Sequence, residues 1–347
     1  MLPGDSLMDP YRHALHSIMA GATLDRDESR SLMDAVMRGD VDDASFGAIF
    51  ATLHARGETI DELAGFAESM RAHVVQAVAP DDAVDTCGTG GDGADTFNVS
   101  TCAAFVVAGA GATVAKHGNR AVSSSCGSAD VLEALGGRLE SSAQDVADTL
   151  ARARFTFMFA PSFHPSMRHA AAPRRALGIR TAFNFLGPIT NPAGVRRQVI
   201  GVSDAGMAPR IAQVLQELGC ERALVVHGTD GLDELSIAEA SVVYDVTPGR
   251  IERTMVTPEQ LGLTRSPLSA IAGGDLACSA EILRAVLAGA VGAPRDVVVL
   301  NAAAGLLAAG RAESLLEGVE LARLALDDGS ALDQLERWIA AGAEVAA

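Results

Sequence analysis

Val84-Asp85-Thr86-Cys87-Gly88-Thr89-Gly90-Gly91-Asp92-Gly93-Ala94-Asp95-Thr96-Phe97-Asn98-Val99-Ser100-Thr101 is the stretch on which the fold turns. A short β-branched run, 83–86, leads into Gly88–Gly93, which matches G-x-G-x-x-G. An Ala- and Val-rich helical pattern follows over 99–109, and a second strand-like run over 112–116. Strand, glycine loop, helix and strand in that order make a βαβ unit. Further candidate strands at 156–159, 198–202 and 222–228 alternate with candidate helices at 128–136, 143–153 and 207–218. That alternation predicts a mostly parallel sheet covered by helices. Residues 241–255 read as two strands joined at Pro248-Gly249, and 279–343 as three or four helices with one strand at 297–300.

Upstream the pattern is different. Residues 1–78 read as four short helices and no strand. Thr59-Ile60-Asp61-Glu62 is a capping-box pattern, and Asp25 with Glu28 a weaker one. The expected architecture is therefore α/β: a small all-helical domain, 1–78, and a large α/β domain, 79–347, with a mostly parallel central sheet. Ala79-Pro80-Asp81-Asp82 reads as the linker. Residues 164–182 look helical again, and part of 164–190 is expected to rejoin the small domain, with the active site in the interdomain cleft.

Composition narrows the function. The chain has 347 residues, 48% of them hydrophobic, with only eleven Phe, two Tyr and one Trp, so the core is built from Ala, Val and Leu. A net charge of −17 argues against nucleic acid and anionic membrane surfaces. The longest apolar run, 102–115, is too short to span a bilayer. Cysteines at 87, 102, 126, 220 and 278 have no metal-type spacing and fit a reducing cytosol. Acidic Asp5 and Asp9, with no basic region before an apolar stretch, speak against a signal peptide and for a cytoplasmic location.

Lys116 is the single lysine among twenty-seven Lys and Arg residues, and it opens Lys116-His117-Gly118-Asn119-Arg120. An ammonium on a flexible stem suits a point contact to phosphate better than the planar arginine fork. The glycine loop reads either as a flexible turn or as a run of backbone N–H groups that cradles pyrophosphate. Dinucleotide binding is disfavoured, because no acidic residue follows near 109–113 to take a ribose hydroxyl. Asn98, Ser100 and Thr101 either cap the next helix or place polar groups at a phosphate-binding helix N-terminus. Ser123, Ser124, Ser125 and Ser128 add donors, and Ser128 also stands where it could cap a helix. His117 is read as structural and given no base role. Asp233 and Glu234 follow the apolar strand 223–227 and read either as a Mg²⁺ site or as a solvated acidic loop. Arg174-Arg175 offers either a carboxylate fork or two surface charges.

Taken together, Gly88–Gly93, Thr96–Thr101, Lys116–Arg120, Gly127–Glu133, Asn184–Pro192 and Asp230–Glu234 resemble the anthranilate phosphoribosyltransferase family, from about residue 13 to the C-terminal helices. Gly57-Glu58-Thr59 fits the same pattern. The resemblance implies transfer of phosphoribose from 5-phosphoribosyl 1-pyrophosphate to anthranilate in tryptophan biosynthesis. It implies a cytoplasmic homodimer joined through the helical domain, and Mg²⁺, as two ions, held by Ser100, Asp233 and Glu234. Phosphoribosyl pyrophosphate would meet Gly88, Gly91, Asp92, Thr96, Asn98, Val99, Ser100, Thr101, Lys116, His117, Gly118, Asn119, Ser123, Ser124 and Ser128. Anthranilate would meet Gly88, Asn119 and Arg174, and Lys116, Asn119 and Arg174 would be the catalytic residues. One departure is visible: many relatives carry Lys-Ser where this chain has Ser125-Cys126. The rival readings are a related pyrimidine nucleoside phosphorylase and a non-catalytic nucleic-acid-binding relative.

Overall fold

The computed structural model describes residues 10–121, 126–139 and 142–345. Ser123, Ser124 and Ser125 of the sequence reading lie outside them. The chain separates into two compact units, one comprising the chain up to Val75 with His164–Thr190, the other Gln76–Phe163 with the chain from Asn191 onward.

The first unit is helical. Its N-terminal part holds helices Pro10–Met19, Arg26–Arg38, Asp43–Arg56 and Ile60–Ala72. Both capping boxes form: Asp25 accepts the Glu28 N–H at 2.8 Å, and Thr59 Oγ1 accepts the Glu62 N–H at 3.2 Å. Glu62 does more than cap. Its fully buried carboxylate accepts the N–H groups of Leu24 at 2.9 Å and Thr59 at 2.8 Å, and it pairs with the Arg56 guanidinium. A buried charge held by that many donors is compensated. Helices Arg26–Arg38 and Ile60–Ala72 meet at Gly65, where a Cβ would lie 2.3 Å from the Arg26 carbonyl oxygen, so only glycine fits. The returning segment contributes helices Arg168–Leu177 and Phe183–Leu186. Phe183 stacks into the core, its ring centroid 4.8 Å from that of Phe50.

The second unit is a seven-stranded sheet: β1 (Val84–Gly88), β2 (Val114–Gly118), β3 (Phe155–Phe159), β4 (Arg197–Gly201), β5 (Arg222–Gly228), β6 (Ser241–Thr247) and β7 (Arg250–Val256). The spatial order is β3-β2-β1-β4-β5-β6-β7. β1 to β5 run parallel, and β6 and β7 are antiparallel. Helix Val99–Gly109, which follows β1, is buried from Thr101 to Ala108. It packs on helix Ala293–Ala308, where a Cβ on Gly305 would sit 2.6 Å from Val107 Cγ2. The C-terminal helix Ser330–Val345 sends Trp338 against Phe155 at 5.4 Å.

Two local readings of the sequence are corrected. The strand expected at 297–300 is the middle of helix Ala293–Ala308, in which every residue from Val297 to Ala308 is buried. A helix buried all round shows no amphipathic period, and three consecutive valines then mimic a strand. Ser128 does not cap helix Ser128–Ala134. The N-cap residue is Gly127, whose N–H donates to Asp130 at 3.0 Å, and Ser128 Oγ donates instead to the Asn119 carbonyl at 3.2 Å.

Burial pushes the His164 imidazole down from the ordinary 6.5 to about 4, against a backbone hydrogen bond with Thr190. The folded chain therefore keeps His164 neutral down to about pH 4, while the unfolded chain protonates it near 6.5. Between these values the unfolded state binds more protons, so stability falls as pH falls through that window. The full effect is about 3 kcal/mol. Urea midpoints of wild type and His164→Gln, measured from pH 7 to 4.5, should converge as the wild type loses this contribution. A wild-type to variant difference that stays constant over the range would contradict it.

Candidate active site

In the second unit the C-terminal ends of β1, β2 and β5 converge, the edge at which parallel sheets bind ligands. Gly88 closes β1, and a Cβ there would lie 2.2 Å from Asp233 Oδ2. At the end of β4 a Cβ on Gly201 would lie 1.6 Å from the Asp233 carbonyl oxygen. Asp233, just beyond β5, thus occupies space that any side chain at 88 or 201 would fill. Its Oδ2 accepts the Gly90 N–H at 2.6 Å. Next to it, buried Glu234 accepts the Ser100 N–H at 3.1 Å, in the first turn of helix Val99–Gly109. A helix N-terminus stabilises negative charge there.

The loop between β1 and that helix requires its glycines. Gly90, Gly91 and Gly93 have φ of 65°, 78° and 68°, the left-handed region. Thr89 and Ser203 fix the base of the loop: Thr89 N–H donates to the Gly201 carbonyl at 2.9 Å, and Ser203 Oγ to that of Gly90 at 2.9 Å. At its apex the N–H groups of Gly91, Asp92 and Gly93 donate to no other described residue. Three successive amides without a described acceptor are available to an anion. Thr96 pairs with Ala272, and the Phe97 N–H donates to Ile271, so the loop's far side is also anchored. Asn98 occupies the N-cap position without capping; its Nδ2 donates to the Cys126 carbonyl at 3.2 Å. Val99 and Thr101 are buried in the helix.

Lys116 and His117 lie within β2, which runs on to Gly118, and Lys116 is 2% exposed. The Lys116 ammonium donates to the Thr86 carbonyl and lies 3.5 Å from Ser100 Oγ. Asn119 and Arg120 are exposed beyond the strand. Gly118 leaves room for Ser128, whose Oγ would be 2.4 Å from a Cβ at 118.

The electrostatics are those of a site short of positive charge. Burial and then Asp92 push the Asp233 carboxyl up. Burial and then Asp233 push the Glu234 carboxyl up, with Lys116 opposing. No group of three His, Cys, Asp or Glu among the described residues is arranged to hold a metal. Two adjacent carboxylates and the Ser100 hydroxyl are hard oxygen donors, the set that suits Mg²⁺ when substrate oxygens and water complete its shell. Burial is the main cause that holds Cys87 well above the ordinary thiol range and raises Cys126 to about 11.

Three residues that the sequence reading passed over support this site. Asp85, fully buried on β1, accepts Asn191 Nδ2 at 2.7 Å and the His117 N–H at 3.3 Å. Burial raises its carboxyl to about 6, opposed by Lys116 and Asn191. Asn191 also donates to the Ala115 carbonyl at 2.8 Å, joining β1 to β2. Asp130 Oδ2 accepts both the Ala121 and Gly127 N–H groups at 3.0 Å and so ties two points of the chain after β2 together. The signal for Asp130 was present as Gly127-x-x-Asp130, an acid at the third position of a helix. Arg174 belongs to the helical unit, where it is half-buried with its guanidinium 5.0 Å over the Phe183 ring. Arg175 beside it is exposed.

Known proteins share this arrangement. Residues 80–332 match the glycosyl transferase family a/b domain, and residues 12–74 the helical bundle domain of the same family. The anthranilate phosphoribosyltransferase of Xanthobacter autotrophicus is 47% identical, covering 98% of this chain and 98% of its own length. The crystal structure of anthranilate phosphoribosyltransferase from Thermus thermophilus matches with a TM-score of 0.90 at 43% identity, over 96% of this chain and 99% of that one. The Saccharomyces cerevisiae anthranilate phosphoribosyltransferase in complex with PRPP and Mg matches with a TM-score of 0.88 at 26% identity, over 96% and 98%. With both domains matched and nearly half of all positions shared along almost its whole length, the chain belongs to the anthranilate phosphoribosyltransferase family.

Proposed function

We propose that this chain transfers the phosphoribosyl group of 5-phosphoribosyl 1-pyrophosphate to the amine of anthranilate, giving N-(5-phosphoribosyl)anthranilate and pyrophosphate. The observation that carries the reading is the row of free amides at Gly91, Asp92 and Gly93 beside the carboxylates of Asp233 and Glu234. An anion cradle next to a pair of hard-oxygen ligands suits a metal-bound pyrophosphate and little else. In the reaction the amine lone pair forms the C–N bond at ribose C1. The C1–O bond breaks with its electrons going to pyrophosphate, and the amine proton is released. The nucleophile is neutral, so no strong base is needed. The difficulty is the charge that develops on the leaving group, and fixed positive charge answers it.

Mg²⁺ supplies part of that charge when bound, and Ser100, Asp233 and Glu234 are the residues that would hold it. The loop amides and Thr96, Asn98 and Ser128 position the substrate phosphates. Lys116 presents the one ammonium beneath them, oriented by the Thr86 carbonyl. Arg174 is assigned the anthranilate carboxylate as a fork, and Gly88 and Asn119 are assigned contacts with anthranilate. The finer expectations go with this reading: two Mg²⁺ ions, a homodimer through the helical unit, a domain boundary at 78/79 and a cytoplasmic location. Five cysteines without a disulfide suit that compartment. Among the described residues no helix is long and apolar enough to cross a membrane.

Purified protein should consume anthranilate, followed by loss of its fluorescence, only when phosphoribosyl pyrophosphate and Mg²⁺ are both present. Folded protein without such decay would sink the proposal.

Lys116 and Arg174 should fail differently. Lys116→Met and Lys116→Arg should each lower kcat by roughly a hundredfold or more while leaving the anthranilate KM within a few-fold, since a fixed donor toward developing charge is lost or misplaced. Arg174→Ala should instead raise the anthranilate KM about ten- to a hundredfold, with a smaller effect on kcat. Steady-state kinetics that show the same kcat and KM pattern in both would refute the division of roles.

A further inference from the structure

A polar cavity of 320 Å³ lies in the α/β unit at the end of the sheet strands opposite the candidate active site. Thr113 and Arg154, which line it, immediately precede β2 and β3, whereas Gly118, Asn119 and Glu234 stand at or beyond strand C-termini. Arg152, Gln334 and Arg337 line it as well, the last two from helix Ser330–Val345. No Asp or Glu is among the lining residues, although the chain carries 44 acidic residues against 27 basic ones. Three guanidinium groups around one cavity are therefore contrary to the general charge of the molecule.

Arg154, Arg337 and Gln334 keep donors unused. Among the described residues the Arg154 guanidinium has no carboxylate or hydrogen-bond partner. Arg337 spends its Nε on Asp333 at 2.7 Å and makes no other bond to a described residue. Gln334 is 8% exposed, and its Oε1 accepts the Arg154 backbone N–H at 2.9 Å. That bond fixes the amide and leaves its NH₂ without a described partner. The fixed Gln334 amide, the Arg154 guanidinium and the terminal nitrogens of Arg337 make a receptor for oxyanions, because phosphate and carboxylate both match the guanidinium fork. The volume is at the small end for ligand pockets.

We propose that this cavity binds a compact oxyanion bearing two or more negative charges, a phosphate ester or a polycarboxylate, separately from the substrate site. Arg154 and Arg337 supply the charge, and Gln334 supplies a neutral donor.

The full chain, without Mg²⁺, is titrated calorimetrically with inorganic phosphate and, in a separate arm, with citrate at low ionic strength. At least one of them should bind saturably at one site. Saturation by phosphate alone assigns a phosphoryl ligand, and saturation by citrate alone a polycarboxylate. Arg154→Ala and Arg337→Ala should each weaken that binding about tenfold or more. Both side chains are exposed, so turnover of anthranilate in these variants should remain that of wild type and report intact folding. Lys116→Met should leave the anion affinity unchanged. Binding that survives both arginine substitutions, binding abolished by Lys116→Met, or no saturable binding of either anion would overturn the proposal.

Discussion

The site at this sheet edge rests on one close approach: Asp233 fills the volume that side chains at positions 88 and 201 would need. That contact dictates glycine at the ends of β1 and β4, and it brings a carboxylate into hydrogen-bonding distance of the Gly90 amide. Glu234 follows onto the first turn of the Val99–Gly109 helix. Two acids are thereby held side by side, largely away from water, in an arrangement that raises both carboxyl pKa values. A structure tolerates such repulsion when something else relieves it, and functional sites are where it is found. Here the relief inside the chain is one buried lysine and two backbone amides, which leaves room for a cation.

The Lys116 environment follows from the same constraint. A lone ammonium buried on a central strand needs anionic and polar company, and it has the Thr86 carbonyl, the Ser100 hydroxyl, and the nearby charges of Asp85 and Glu234. Asn191 and the His117 amide hold Asp85 on the other side. Lys116 therefore stands between the carboxylates that would bind metal and one that serves only the protein. Removing Asp85 would alter the charge around Lys116 and release the His117 amide.

Much of this was legible in the residues. Caps with side-chain signatures, Asp25-x-x-Glu28 and Thr59-x-x-Glu62, were readable because the chemistry is local. The strands of the sheet were readable from short β-branched runs bounded by turns, with ends displaced by no more than two residues. What failed had non-local causes. Val297–Leu300 looks like a strand because the helix containing it is buried on all sides and carries no polar face. Ser128 looked like a cap because serine favours that position, yet Gly118 opens a pocket that directs its hydroxyl to the Asn119 carbonyl. The strand expected to end at Lys116 continues to Gly118, which nothing in Lys-His-Gly-Asn-Arg announces. The clustering of 88–93, 100, 116 and 233–234 is a property of parallel topology: strand ends far apart in sequence share one edge. The roles of Asp85 and Asn191 depend on contacts across the fold and carried no comparable signal.

The central claim is that the buried acids at 233 and 234 are a metal site completed by the pyrophosphate of the substrate. Mn²⁺ takes the same oxygen ligands as Mg²⁺ and is paramagnetic. Its binding to a macromolecule can be followed by water-proton relaxation enhancement. Wild-type protein with phosphoribosyl pyrophosphate should show strong enhancement with Mn²⁺, and Asp233→Asn/Glu234→Gln should need at least about tenfold more protein to reach it. Equal enhancement curves for the wild type and a folded double variant would contradict the account.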